Sequence, residues 1–240
     1  MDITSHTHHI SQQYNIELEA IRTHLSEMGG MAQRQVNDAI QALIDGDVER
    51  AEHVVRADSN VNSMEMSIDE ECIRILARRQ PAASDLRLVI AVTKAITDLE
   101  RVGDEAAKIA RLAIVQHGDG LSPRGYIEVR HIGELVSHML QDALDAFARM
   151  DAGLALNVVD TDRTVDLEYS TAMRELMTFM MEDPRSISRV LNIMWCLRAL
   201  ERIGDHSRNL AQYVIYLVNG QDVRHSNLDA IEESLHPRDR

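Results

Sequence analysis

Aromatic side chains make up only 3% of this 240-residue chain, and it holds just four prolines and two cysteines. Scarce aromatic and β-branched runs remove the usual material of β-sheets, and few prolines leave long helices uninterrupted. Cys72 and Cys196 stand alone within apolar helical patterns. They exclude a disulfide framework or a CxxC site and read as buried, reduced thiols. No stretch approaches the roughly 20 apolar residues that cross a bilayer, and the polar N-terminus lacks a signal-peptide core. The expectation is a cytoplasmic protein. Basic residues are also short, 25 against 39 acidic ones, for a net charge of −14. Such a surface repels nucleic acid and anionic lipid headgroups, so neither is expected as a direct partner.

What is abundant is Ala, Leu, Ile, Met, Glu and Arg, the helix formers. The segment Leu99-Glu100-Arg101-Val102-Gly103-Asp104 returns as Leu200-Glu201-Arg202-Ile203-Gly204-Asp205. Two copies of ERxGD mark a duplicated unit, and a duplication fixes architecture before chemistry. Helical periodicity runs over residues 10–44, 48–79 and 86–116, then over 125–150, 154–181 and 186–218. The breaks fall at matching places, with Asp45 and Asp151, and Pro81 and Pro184, as counterparts. Long helices joined by short turns pack as antiparallel neighbours. The predicted fold is all-α, two pseudo-symmetric antiparallel three-helix bundles over residues 10–117 and 124–219. Residues 118–123 form the linking turn, and residues 1–9 and 220–240 read as flexible tails. His6, His8 and His9 fall in the first tail, where they could take up stray metal.

Glu100 and Asp104 stand at i,i+4, as do Glu201 and Asp205, so each pair shares one helical face at a small repulsive cost. The preceding helix of the second half carries Asp162 and Asp166 at the same spacing. Asp162 and Asp205 are equidistant from the Asp183-Pro184 turn, and so are Asp166 and Glu201. In an antiparallel hairpin these four acids meet at one level. Asp58 with Asp104, and Asn62 with Glu100, stand likewise about Pro81. Four converging oxygen-bearing side chains stabilise a fold poorly and hold a cation well. An all-oxygen set suits Mg²⁺, Mn²⁺ or iron better than zinc. Asn62, where the second half has Asp166, removes one negative charge and predicts weaker binding in the first bundle. Gly103 and Gly204, inside helices at a cost of roughly 1 kcal/mol each, fit a close approach or room for an ion.

Two other accounts compete. One is a solvated ion-pair lattice, with Arg101 reaching Glu105 and Asp104 reaching Lys108. The other is a di-iron carboxylate protein, which needs two ExxH motifs; only Glu128 to His131 provides one. No nucleophile–base pair and no glycine-rich phosphate loop appears, so an enzyme is not expected. His206 lies off the acidic face and reads as a surface or pairing residue.

The doubled ERxGD, the Asp-xxx-Val-Asn at 58–62, the segment Arg78-Arg79-Gln80-Pro81-Ala82-Ala83-Ser84-Asp85-Leu86-Arg87 and Met181-Glu182-Asp183-Pro184-Arg185-Ser186-Ile187-Ser188 together resemble the PhoU family. The likeness spans nearly the whole chain. It implies two three-helix bundles in a cytoplasmic, usually dimeric regulator, held at the inner membrane face only through partners. The implied partners are the ATPase subunit of a phosphate ABC importer and a sensor histidine kinase. The implied role is to repress the phosphate-starvation response and limit uptake. Metal clusters on E(D)xxxD motifs would fall on Glu100/Asp104, Asp162/Asp166 and Glu201/Asp205, with Asp58/Asn62 departing from the pattern. A metal-binding helical scaffold unrelated to phosphate is the alternative. The segment 78–87 and the charged outer faces are the expected contact surfaces.

Overall fold

The computed structural model describes residues 3–81, 83–116 and 126–220, with side chains from Gln12 onward. The predicted linker 118–123, all but Gly220 of the C-terminal tail and the side chains of His6, His8 and His9 lie outside the described residues. Six α-helices follow in order: α1 (Ile3–Asp45), α2 (Val48–Arg79), α3 (Ala83–Gln116), α4 (Tyr126–Arg149), α5 (Ala152–Glu182) and α6 (Ile187–Asn219). A 3-10 turn, Pro184–Ser186, precedes α6. The fold is all-α, as read from the sequence. Helix α1 starts at Ile3, ahead of the first periodic apolar residue, and takes in residues 3–9, which were expected as a tail. Neither Gly nor Pro stands there to stop it.

Helices α1, α2 and α3 pack mutually, as do α4, α5 and α6. The halves are joined along their lengths, α3 against α6 and α1 against α4. Apolar residues of all six helices form one continuous core, including Ile21, Met28, Ile68, Ile96, Leu99, Ile132, Leu140, Ile193 and Leu197. Cys72 and Cys196 lie within it, and burial pushes their thiols up to about 11 and about 12, which leaves them inert. Among the described residues no helix is long and apolar enough to cross a membrane.

The α3–α6 seam is polar at its centre. Asp98, buried on α3, receives a hydrogen bond from the Tyr213 hydroxyl at 2.7 Å and one from Asn209 Nδ2 at 3.1 Å. His206 Nδ1 lies 2.7 Å from Asp98 Oδ1. His206 is thus a pairing residue and is buried, not on the surface. Along the same seam Glu105, 2% exposed, is held by Arg202 across the interface at 2.8 Å and by Lys108 at 2.9 Å. Between α1 and α4, Gln33 donates to Gln141, and Ser137 Oγ donates to Asn37 Oδ1 at 2.6 Å.

The repeat is visible in the turns. Helices α1 and α4 end alike, with Asp47 N bonded to Ala42 O at 2.9 Å and Asp151 N to Ala146 O at 3.0 Å. The same aspartates then cap the next helices, Asp47 Oδ1 accepting from Arg50 N and Asp151 Oδ1 from Leu154 N. Asp47, not Asp45, is therefore the counterpart of Asp151. The residue before each cap is left-handed: Gly46 at φ 67° in the first half, Met150 at φ 54° in the second. A side chain there is strained where glycine is not. Met150→Gly relieves that strain but gives up the contacts of its half-buried side chain with the core, so the stability gained, read from the urea midpoint at unchanged m, is expected to be less than the roughly 1–2 kcal/mol that strain alone would give.

Candidate metal centre

The hairpin geometry brings the predicted acids into each other's fields. Asp58 on α2 is buried, and its carboxyl is pushed above the ordinary range first by burial and then by the charge of Asp104, with Arg111 opposing. Glu100 is raised by burial, then by Asp104, Glu65 and Asp58. In the second bundle burial raises Asp162, Arg208 opposes, and Asp166 and Asp205 add to the rise. Glu201 is raised by burial and by Asp205, with Arg198 opposing and Asp166 and Asp162 contributing. The pairs expected from equal distance to the turns, Asp58 with Asp104 and Asp162 with Asp205, are thus neighbours. Among the described residues, however, no three His, Cys, Asp or Glu side chains already stand as a ligand set for one ion.

The two bundles differ in what offsets the acids. In the second, Arg208 bonds Asp162 and also reaches Asp205 Oδ1 at 2.8 Å, while Arg198 meets Glu201 Oε1 at 2.6 Å. Asp166 stays exposed. In register with the ERxGD repeat, Arg208 corresponds to Ala107 and Arg198 to Thr97. The first bundle lacks both guanidinium groups at those positions. There Asp58 Oδ1, Asn62 Oδ1 and both polar atoms of Gln35 are buried without a hydrogen-bond partner. In the second bundle Glu201 Oε2 is left in the same way. Unpaired buried oxygens cost about 1–3 kcal/mol apiece unless something occupies the space they face.

The glycines tell the two sites apart as well. A Cβ on Gly103 would come within 3.0 Å of Gln35 Oε1 and 3.2 Å of Asp58 Oδ1, tight enough that those oxygens would have to give way. On Gly204 it would meet Val165 and Val136 at 3.5 and 3.7 Å and Asp162 Oδ1 at 3.9 Å, ordinary contacts. Gly103 therefore keeps open a space shared by oxygens of α1 and α2, and Gly204 does not. The donor chemistry in the first bundle, oxygen only, fits a hard cation.

Sequence reasoning missed Gln35 and Arg208. Gln35 is a polar residue within the apolar stripe of Ala32, Val36 and Ala39, a readable signal. The anticipated contact of Lys108 with Asp104 is replaced by its bond to Glu105.

All four raised acids favour their neutral form in the folded state. Between the ordinary carboxylate range and their raised values, the native protein binds more protons than the unfolded chain, so stability falls as pH rises through that window. Asp58→Asn removes part of that loss. In metal-free buffer the variant is expected to be more stable than its parent at pH 7, with the difference vanishing below about pH 4, in paired urea titrations.

Comparison with known proteins gives a consistent picture. The PhoU domain model matches twice, over residues 25–113 and 129–214. The chain is 64% identical over 229 residues to the phosphate-specific transport system accessory protein PhoU homolog of Pseudomonas aeruginosa, covering 95% of each. It is 46% identical over 239 residues to the phosphate-specific transport system accessory protein PhoU of Escherichia coli K12, covering 100% of this chain and 99% of that one. Among solved structures, the crystal structure of PhoU from Pseudomonas aeruginosa superposes with a TM-score of 0.85 at 64% identity, over 87% of this chain and all of that one. The phosphate transport system regulatory protein PhoU from Streptococcus pneumoniae does so with a TM-score of 0.81 at 29% identity, over 88% and 99%.

Proposed function

This chain belongs to the PhoU family, and on that premise we propose that it is an accessory regulator of phosphate transport that acts as a protein adaptor. It bridges the ATPase subunit of a phosphate ABC importer and the cytoplasmic domain of a sensor histidine kinase, and it works as a homodimer. The complex keeps the kinase in its signal-off state and limits uptake when phosphate is ample. The observation that carries this reading is the 64% identity to the P. aeruginosa accessory protein along 95% of both chains. An adaptor also suits a surface built from long charged helices, with neither a nucleophile–base pair nor a phosphate-cradling loop among its motifs.

Within the adaptor, Asp58, Asn62, Glu100 and Asp104 would hold a hard cation, Mg²⁺, Mn²⁺ or iron, whose charge would tie α2 to α3. Asp162, Asp166, Glu201 and Asp205 are the counterpart site. There Arg208 and Arg198 already offset the acids, so an incoming ion must first displace a guanidinium. The missing charge at Asn62 weakens the first site less than these ion pairs weaken the second. Either way α2–α3 and α5–α6 are clamped, and the protein presents a rigid outer face.

In cells lacking the protein and grown in ample phosphate, alkaline phosphatase activity is expected to rise and to fall again when the gene is restored. Unchanged low activity refutes the repressor role. Metal content tests the clamps separately, on protein with His6, His8 and His9 replaced. Asp58→Ala with Glu100→Ala is expected to lose most bound metal, Glu201→Ala with Asp205→Ala less, and Arg208→Ala to gain it. A metal-free parent, or no loss in the first variant, leaves ion pairing as the role of these acids.

A further inference from the structure

A groove of about 540 Å³ opens where the C-terminal half of α3 passes the N-terminal half of α6. Lys108 and Arg111 line it from α3, and Trp195, Arg198 and Arg202 from α6. In a chain of net charge −14, four cations on two facing helices are a local reversal of sign. Internal pairing does not use them up. Buried Glu105 is shared by Lys108 and Arg202, and Arg198 takes Glu201. Among the described residues Arg111 makes no direct ion pair, though its charge is felt by Asp58 on α2. Two carboxylates in direct contact, and Asp58 at longer range, answer four cations, so the groove keeps a surplus of positive charge. Beside it stands Trp195, the chain's only tryptophan, 64% exposed. An indole left in water next to cations offers a stacking plate to a planar ring and a hold for anions at once.

We propose that this groove binds a nucleoside polyphosphate, its base laid on the Trp195 ring and its phosphates held by Arg111, Lys108, Arg198 and Arg202. Size and chemistry separate this ligand from other anions. The lining residues, 105–112 and 195–202, span about two helical turns, roughly 10 Å along the axis. That length suits one nucleotide and is short for an acidic docking helix, which lays anchors at i, i+3/i+4 and i+7 along a longer groove. The volume falls in the range of small-molecule sites. A bare phosphate chain would use the cations and leave the indole idle; a nucleotide engages both.

The test titrates the full chain in EDTA with ATP, adenosine or inorganic triphosphate, following the emission of Trp195. ATP is expected to quench it saturably, with adenosine and triphosphate each at least about tenfold weaker, since each lacks one half of the recognition. By calorimetry, Arg111→Ala and Trp195→Ala are each expected to weaken ATP about tenfold. Both side chains are exposed, so both variants should fold. Several results overturn the proposal. They are no saturable quenching up to millimolar ATP, triphosphate binding as tightly as ATP, or ATP affinity unchanged in Arg111→Ala. Protection of Trp195 from acrylamide before any ligand is added would assign the face to a second copy of the chain and equally overturn it.

Discussion

The structure depends on one seam, the antiparallel packing of the two ERxGD helices against each other. Asp98 at its centre cannot be buried bare; the Tyr213 hydroxyl, Asn209 and His206 all converge on it from α6. Further along, buried Glu105 is met by Lys108 of its own helix and by Arg202, which comes across from the other repeat. Removing one partner from such a set leaves a buried charge uncompensated, the expensive way to break an ion pair. The polar seam thus fixes the register of α3 against α6 more sharply than apolar packing alone would. Once that register is set, the rest follows. Asp98 and Glu105 face α6, while Glu100 and Asp104 face α2, so the acidic site is turned away from the seam. The cationic groove lies over the same two helices, between residues 105–112 of α3 and 195–202 of α6.

Duplication supplied two copies of one plan, and the differences between them carry the chemistry. Gly46 and Met150 occupy the same left-handed turn position, one relaxed and one strained. Ala107 and Arg208 occupy the same helical position, as do Thr97 and Arg198, and those exchanges give the second bundle two guanidinium partners for its acids that the first lacks at these positions. Gly103 and Gly204 are identical in sequence, yet a Cβ would crowd oxygens at 3.0–3.2 Å on the first and meet one only at ordinary contact distance on the second. Equivalent positions have equivalent backbones here; they do not have equivalent electrostatics.

Local regularities were legible in the sequence. Six helices followed from apolar periodicity and from turns punctuated by Asp, Gly and Pro. The pairing of Asp58 with Asp104 and of Asp162 with Asp205 followed from equal distance to a turn, because antiparallel helices of equal rise must place such residues level. What spacing could not supply was the relation between the repeats. Nothing in it sets α3 against α6, so the bond from Arg202 to Glu105 and the burial of His206 against Asp98 were out of reach. The reach of Arg208 back to Asp162 was hidden for another reason. It depends on how a long side chain lies along its helix, not on where its Cα stands. The start of α1 was missed because periodicity marks where a helix is buried, not where it begins.

The single apolar core that runs through all six helices has a mechanical meaning. A chain of two beads would let one repeat soften while the other held. With α3 packed on α6 and α1 on α4, neither half can open without exposing core of the other, which couples their stabilities. Any ligand that favours the folded form of one repeat adds its binding free energy to the whole molecule, including surfaces it never touches. To the extent that the two repeats unfold as one unit, occupancy at one end is felt at the other without any moving part, because the linkage runs through the shared core.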